Sequence, residues 1–255
     1  EWDGINAPVF NGLDNFQLLL GKDRYFQQSV VNTLWFSFGS IPLAMLAGLI
    51  LALLVNQKLP GMDFYKAAYF TPVVTSSIAI AMVWRWIMAP DFGLLNSILL
   101  KVFGIRGPDW LSSTDWALFS VILVQVWHTA GYNMENSAQS VLQGIPEHLY
   151  EAARIDGTNG WQQFRYITLP LLSPTTFYLS ITSIISSFQV FNLIYVMTNG
   201  GPAYATSVYI HYLYLNAFNY FKMGYASSMA WLLFVVIAGI TIIQWKLSDR
   251  WVFYN

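Results

Sequence analysis

Polar side chains interrupt one of the most apolar parts of the chain, and their types suit the binding of a solute. Four of them are spaced three or four residues apart, so that a helix places them on one face: Gln125, Thr129, Tyr132 and Asn136. Amides and hydroxyls both donate and accept hydrogen bonds, which matches a solute rich in hydroxyl groups. Polar groups in a membrane span are usually functional, but they also join neighbouring helices. Both interpretations stay open.

Other kinds of site chemistry lack their residues in this sequence. There is no cysteine, which excludes disulfides, thiolate metal sites and cysteine nucleophiles. The one Gly-Lys pair, Gly21-Lys22, is followed by Asp23 and does not fit a phosphate-binding loop. His148 and His211 have no neighbouring metal ligands in the sequence. We therefore predict that the chain is not an enzyme, has no catalytic residue, binds no metal or cofactor and cannot hydrolyse ATP itself.

The composition indicates a membrane protein. Of the 255 residues, 56% are hydrophobic and 10% are charged, with a net charge of −1, whereas soluble domains carry about 25% charged residues. This balance excludes a basic nucleic-acid-binding surface and disorder. Five stretches contain no Asp, Glu, Lys or Arg, and each is long enough to hold the roughly 20 apolar residues of a membrane helix. We predict an all-α membrane protein with spans near 30–55, 67–89, 116–142, 171–196 and 225–247.

The remaining segments are assigned to the membrane surfaces. Residues 1–29 are polar and loop-like, and residues 248–255 form a short tail. Apolar residues at helical spacing predict an interfacial helix near 92–103. Residues 203–221 contain five tyrosines, which favours a second interfacial helix over a sixth span. Because the sequence does not begin with methionine, we also expect a further span before residue 1.

The distribution of basic residues predicts which side of the membrane each segment faces. Lys and Arg are denser in 56–66, 143–170 and 246–255 than in the opposite loops. The positive-inside rule then makes these three segments cytoplasmic. Residues 1–29 consequently lie on the outer, periplasmic side, and residues 248–255 form a cytoplasmic tail.

The segment 145–170 is longer than an ordinary turn and contains helix-start and helix-stop residues. Pro146 and Glu147 suit the first turn of a helix, and Gly157 suits the left-handed residue that ends it. A second short helix follows, which we expect Pro170 to close. Ala152 and Ala153 present a small surface that lets another backbone come close. The sequence thus predicts two short helices forming a compact projection.

The same segment resembles the EAA motif of permease subunits of ATP-binding-cassette (ABC) importers. Its motif residues occur without departure in spacing: Glu151, Ala152, Ala153, Gly157, Ile167, Leu169 and Pro170. Val31-Asn32-Thr33 and Thr198-Asn199-Gly200-Gly201-Pro202 also resemble segments of sugar-type permeases. The likeness covers nearly the whole chain and is closest to the subunit type of the larger maltose-importer permease and the first glycerol-3-phosphate permease.

This resemblance implies a type I ABC importer transmembrane domain that forms a carbohydrate pathway with a second permease subunit. Its implied partners are two ABC ATPase subunits, which hold the ATP and Mg, and an extracytoplasmic solute-binding protein. The implied location is a bacterial or archaeal plasma (inner) membrane. The ATPase-coupling residues would be Glu151, Ala152, Ala153, Asp156, Gly157, Leu169 and Pro170. The positions aligned with polar solute contacts in maltose-type relatives are Ser77, Gln125, Ser183 and Ser187.

Two other functions are weighed against this one. A proton-coupled secondary transporter could use Glu135, but such folds usually have more spans and inverted repeats, and the EAA-like segment would have no role in it. An intramembrane enzyme would need a nucleophile and a base. His128 with a neighbouring serine is the one candidate pair, and no third group orients it.

Overall fold

The computed structural model describes residues 2–56, 60–138 and 145–253, and within these ranges all regular structure is helical. Lys58, the end of the predicted span 116–142 and both chain ends lie outside the described residues. The helices are α1 Asp14–Gly21, α2 Arg24–Val55, α3 Met62–Val74, α4 Ser77–Ile87, α5 Leu94–Phe103, α6 Ala117–Ser137, α7 Glu147–Ile155, α8 Gly160–Gln163, α9 Leu169–Leu171, α10 Ser173–Phe188, α11 Asn192–Met197, α12 Tyr209–Tyr214 and α13 Met223–Ser248. Wider π-helical turns continue two of them, at Phe164–Thr168 after α8 and Leu215–Asn219 after α12.

Two helices in the described part of the chain are long and apolar enough to cross a membrane unbroken. These are α2, with 32 residues, and α13, with 26. The predicted span 67–89 is broken at Thr75–Ser76 into α3 and α4, and Gly160–Leu171 meets α10 at a 61° bend. Counting each broken pair as one span gives up to four. Helix α6 has 21 residues, close to the length required, but its polar side chains lower its apolar character.

Both segments that the sequence analysis assigns to the membrane surface contain helices. Helix α5 covers Leu94–Phe103 and ends at Gly104, whose φ of 69° is left-handed. Residues Tyr209–Asn219 form α12 and its π-helical turn. At 1.5 Å per residue this helix is about 16 Å long, half of the roughly 30 Å hydrocarbon thickness. It is too short to be a sixth span.

The chain forms two compact units. The first comprises residues 1–40, 75–125 and 184–239, and the second comprises 41–74, 126–183 and 240–255. In the first unit the ends of α1, α2, α12 and α13 share a core of Leu19, Phe26, Tyr209, Tyr212, Tyr225, Met229 and Leu233. In the second unit Ala52, Val55 and Met134 are buried together.

Asp23 ties three elements of the first unit together. Its Oδ1 accepts the backbone N–H of Phe26 at 3.0 Å and so caps the start of α2. Its Oδ2 accepts the hydroxyls of Tyr212 on α12, at 2.7 Å, and Tyr225 on α13, at 2.5 Å. Burial alone would raise the pKa of this carboxyl, but the donated hydrogen bonds outweigh it and hold the pKa below its ordinary value.

Asn32 and Thr33 explain why the family-like Val31-Asn32-Thr33 segment contains two polar residues inside α2. The Asn32 amide donates to the carbonyls of Tyr204, at 2.8 Å, and Ser207, at 2.9 Å. Thr33 Oγ1 accepts the backbone N–H of Tyr209 at 2.8 Å. These side chains satisfy backbone groups of the connection that precedes α12, which have no partner within a helix of their own. The two side chains thereby hold this connection against α2.

Two glycines in the second unit allow helices to approach closely. A Cβ at Gly131 of α6 would lie 2.1 Å from the carbonyl oxygen of Tyr69 on α3, and one at Gly48 of α2 would lie 2.3 Å from Asn133 Cβ. Neither a backbone oxygen nor a Cβ atom can move away cheaply. Small residues at helix interfaces are the usual way in which membrane helices pack without a hydrophobic driving force.

Replacing Gly131 with alanine is expected to destabilise the protein by about 1–3 kcal/mol, because the new methyl group overpacks the contact with α3. Gly239→Ala in α13 is the matched control, since a Cβ there meets nothing within 4 Å and alanine is the better helix former. The melting temperatures of the detergent-solubilised proteins measure the effect. Equal melting temperatures for the two variants would contradict the close contact.

Candidate functional site

The EAA-like segment begins with α7, whose end is held by backbone hydrogen bonds. Pro146 precedes the helix in an extended conformation. At the other end Gly157 has a φ of 78° and donates its N–H to the carbonyl of Arg154, while Thr158 donates to Ala153, both at 3.0 Å. This pair of bonds is a Schellman motif, which satisfies the last carbonyls of a helix and requires a residue that tolerates the left-handed region. The predicted end of the first short helix is confirmed.

The second part of the segment starts with a capping box. Asn159 Oδ1 accepts from Gln162 N at 2.9 Å, and Gln162 Oε1 accepts from Asn159 N at 2.7 Å. The expectation that Pro170 closes this helix is met to within one residue, because α9 ends at Leu171 and a 61° bend follows it. A π-helical turn covers Phe164–Thr168 immediately before α9. This wider turn accommodates the proline ring, which would clash with the preceding turn of a regular α-helix.

Side-chain bonds fix the two halves of the segment to each other. The Tyr150 hydroxyl on α7 and Thr168 Oγ1 lie 2.9 Å apart, and Thr158 Oγ1 donates to the Ala153 carbonyl at 2.7 Å. The rings of Trp161 and Phe164 are in contact, with centroids 5.6 Å apart. The projection is therefore cross-linked by hydrogen bonds as well as by its backbone.

The surface of this projection is apolar as well as charged. Ile155 is 87% exposed, and Trp161 and Tyr166 are also exposed. Of the predicted coupling residues, Ala153 and Pro170 are half-buried and the others are exposed: Glu151, Ala152, Asp156, Gly157 and Leu169. Large apolar side chains left in the open beside carboxylates are typical of a surface that another protein covers.

In the first unit, two of the predicted solute-binding serines are already hydrogen-bonded. Ser77 Oγ, at the start of α4, accepts from the Asn192 amide of α11 at 2.8 Å. Ser187 Oγ on α10 lies 2.9 Å from Ser37 Oγ on α2 and is 3% exposed. Ser187 thus forms a buried contact between helices. This is the helix-joining role, as opposed to solute binding, that polar residues in membrane spans can have. Gln125 on α6 is half-buried.

In the second unit, a tyrosine on the polar face of α6 contacts a tyrosine of α10. The hydroxyls of Tyr132 and Tyr178 of α10 lie 3.2 Å apart, and the Asn136 amide donates to the Tyr132 carbonyl at 2.8 Å. Thr129 and Ser183 are half-buried. The predicted helix over these positions is confirmed by α6. The sequence does not reveal that Tyr178 belongs to this group, because it lies 46 positions after Tyr132 in the chain.

Asn192 is a second residue near the candidate site that the spacing of residues in the sequence does not reveal. It is 115 residues away from Ser77 in the chain. The signal that could have found it is its position immediately before the apolar turn of α11, where an amide is costly unless it is bonded. The same packing places Arg85 Nη1 of α4 3.3 Å from the Val196 carbonyl.

His211 is a structural residue of the first unit. It is 1% exposed, and its Nδ1 lies 3.0 Å from Ser207 Oγ. Burial lowers its pKa to about 4, so the ring is neutral at physiological pH. In the described part of the chain, no group of three or more His, Asp and Glu residues is arranged to hold a metal.

Comparison with known proteins identifies the family. The family described as "Binding-protein-dependent transport system inner membrane component" matches residues 40–252. The chain belongs to this family. It is 36% identical to a probable ABC transporter permease, YesP, of Bacillus subtilis over 100% of this chain and 82% of YesP. It is also 36% identical to the trehalose/maltose permease MalF of Thermococcus litoralis over 96% and 81% of the two chains.

A solved structure confirms the fold. The bacterial alginate ABC transporter, in complex with an alginate pentasaccharide-bound periplasmic protein, superimposes with a TM-score of 0.85. The match covers 94% of this chain and 83% of the other at 23% identity. The protein is thus an all-helical permease subunit of an ABC importer with the type I transmembrane fold. As a permease subunit it is a transport component and not an enzyme, and ATP hydrolysis belongs to a separate subunit.

Gly157→Ala is expected to loosen the end of α7, because a left-handed conformation costs an L-residue about 1–2 kcal/mol. No atom lies within 4 Å of the added Cβ, so the effect is one of backbone conformation alone. Amide hydrogen exchange at Gly157 and Thr158 should become several-fold faster. Gly160→Ala is the control, since that position is equally open and has no positive φ. Equal exchange in both variants would rule out the strain.

Proposed function

We propose that this permease subunit forms, with a second permease subunit, the pathway by which a carbohydrate enters a bacterial or archaeal cell across the plasma membrane. The observation on which this mainly rests is the rigid, exposed EAA-like segment in a chain of this family. The names of relatives support the solute class, since one transports trehalose and maltose and another imports alginate. The hydroxyl and amide side chains of α4, α6 and α10 suit such a solute.

The proposed partners follow from the absence of an energy source in the chain. The sequence has no phosphate-binding loop, so free energy must come from two ATPase subunits that bind ATP and Mg. An extracytoplasmic solute-binding protein would deliver the carbohydrate, as the periplasmic protein in the alginate complex suggests. The chain itself then needs no cofactor.

The construction of α7 to α9 supports a role in transmitting the movement of an ATPase to this permease. A surface that transmits force must not yield when its partner moves, and the Schellman motif, the capping box and the Tyr150–Thr168 bond all resist such yielding. We infer that Ile155 and Trp161 fill the partner's groove and that Glu151 pairs with a basic residue there. Movement of the ATPase pair would then switch the spans between outward-open and inward-open states.

The solute pathway is proposed to include the polar face of α6. This face consists of four residues at helical spacing: Gln125, Thr129, Tyr132 and Asn136. Three serines are further candidates: Ser77, Ser183 and Ser187. Among these, Ser187 is the weakest, since its hydroxyl is buried against Ser37. Ser77 and Asn192 offer an amide and a hydroxyl together, so Asn192 joins the proposed set.

Charge reversal tests the coupling surface. Glu151→Lys should weaken binding of the ATPase subunits, because losing one partner of an interfacial ion pair costs roughly 2–5 kcal/mol. Asp91→Lys reverses an exposed carboxylate outside the segment and serves as the control. The measurement is the ratio of ATPase to permease after co-purification. An undiminished ratio for Glu151→Lys, with the fold intact, would contradict the assignment.

Removing the Gln125 amide tests the pathway. Gln125→Leu should raise the KM for uptake about fivefold, the effect of one net hydrogen bond of about 1 kcal/mol, with assembly unchanged. Uptake into proteoliposomes is measured with labelled maltose, trehalose and an alginate oligosaccharide as probes, and Gln27→Leu, an exposed position at the start of α2, is the control. Unchanged kinetics would remove Gln125 from the pathway. Uptake that persists without ATP and follows a proton gradient would overturn the importer function itself.

A further inference from the structure

An open pocket of about 890 Å³ lies in the first unit, where the two long apolar helices begin. Arg24 and Tyr25 line it from the first turn of α2, and Lys222 and Tyr225 line it at the start of α13. Both helices are long and apolar enough to cross a membrane, so we infer that the pocket lies near the boundary between lipid and water. Its volume is in the range of pockets that bind small ligands and headgroups.

The walls of the pocket are fixed by hydrogen bonds. The N–H of Gly224, in the first turn of α13, donates to the carbonyl of Trp2 at 3.0 Å. Asp3 Oδ1 accepts the backbone N–H groups of Ile5, at 3.0 Å, and Asn6, at 2.8 Å. These bonds hold the N-terminal residues over the start of α13, so that they form a wall of the pocket.

Three cations line the pocket, Lys22, Arg24 and Lys222. All three are exposed, and within residues 2–56, 60–138 and 145–253 none of them forms an ion pair. The two carboxylates of the pocket, Asp3 and Asp23, are engaged by hydrogen bonds from backbone and tyrosine groups. With three positive and two negative groups the pocket has a formal charge of +1, and its cations are the groups left to bind a ligand.

A continuous exposed stripe leads from one of these cations into the membrane. Four residues follow Arg24 at intervals of three or four and therefore share its face of α2: Gln28, Val31, Trp35 and Phe38. All are exposed, Trp35 at 66% and Phe38 at 73%. The face thus changes from charged to apolar over about 20 Å of helix, in the same order as the headgroup and acyl chains of a phospholipid.

We propose that this pocket binds the phosphate group of an anionic phospholipid in the leaflet where α2 and α13 begin, with an acyl chain along Val31, Trp35 and Phe38. Lys22, Arg24 and Lys222 supply the charge, and the rings of Trp2 and Tyr25 lie at headgroup level, where such residues are enriched. An acidic protein segment would use the cations but would not account for the apolar stripe. A soluble phosphate ester shares the headgroup chemistry and is separated from the lipid by the test.

The test uses the permease purified with its partner subunits and inserted into nanodiscs of phosphatidylcholine with or without phosphatidylglycerol. Native mass spectrometry counts the lipids retained, and the melting temperature reports their effect. Phosphatidylglycerol should be retained in preference and should raise the melting temperature of the wild type. Arg24→Gln should weaken this binding about fivefold, the contribution of one cation near a lipid headgroup, and Lys22→Gln with Lys222→Gln should weaken it further.

The matched control is Lys101→Gln with Arg106→Gln, which removes two exposed cations away from the pocket and should leave lipid retention unchanged. Equal retention of the two lipids by the wild type would overturn the proposal, and so would an equal loss in the control. Glycerol 3-phosphate is added in solution as the second probe. If it raises the melting temperature in pure phosphatidylcholine and Arg24→Gln abolishes this rise, the ligand of the pocket is a soluble phosphate ester and the lipid assignment is wrong.

Discussion

The structure depends on one constraint above all, namely that backbone N–H and C=O groups must find partners wherever a helix stops in a chain this apolar. Side chains supply many of these partners. Asp23 caps α2, Asn32 binds the connection before α12, and Thr33 accepts the first N–H of α12. In water such groups could remain solvated, whereas in or near lipid each unmet bond costs several kcal/mol. The first role of these polar residues is therefore to satisfy backbone groups where a helix is interrupted.

This constraint is met differently in the EAA-like segment and along α6 and α10. In the EAA-like segment one hydrogen bond closes the end of α7, from Thr158 to Ala153, and another joins the two halves, between Tyr150 and Thr168. These bonds leave large apolar side chains outside. A stiff element with an apolar exterior is suited to transmit force. Along α6 and α10 the polar groups are part-exposed side chains, such as Tyr132 and Tyr178, which can exchange one partner for another. These properties suit the coupling role proposed for the EAA-like segment and the pathway role proposed for the polar groups of α6 and α10.

The differences between expectation and structure have local physical causes. The second helix of the EAA-like segment ends one residue after the proline expected to close it, and the π-helical turn at Phe164–Thr168 that precedes this proline was not expected from the sequence. The apolar run 67–89 reads as one span in hydropathy, yet it breaks at Thr75–Ser76, and Asn192 bonds Ser77 beside that break. Ser187 was a candidate for solute contact, and its buried bond to Ser37 shows that the same hydroxyl can serve helix packing. Hydropathy and residue type cannot register the bonds of Ser77 and Ser187, since each depends on a partner far away in the chain.

The sequence by itself determined the class of protein, because charge-free stretches of membrane length and the fixed spacing from Glu151 to Pro170 are properties of the chain alone. It also determined the ends of local elements such as α5 and α7, where Gly104 and Gly157 supply the left-handed residue. Only the tertiary structure decided which polar residues meet, which glycines touch a neighbouring backbone and which cations share a pocket at the start of α2 and α13. The physical reason is that hydrogen bonds and close contacts act over about 3 Å in space, and the residues that make them here lie 46 to 202 positions apart in the chain.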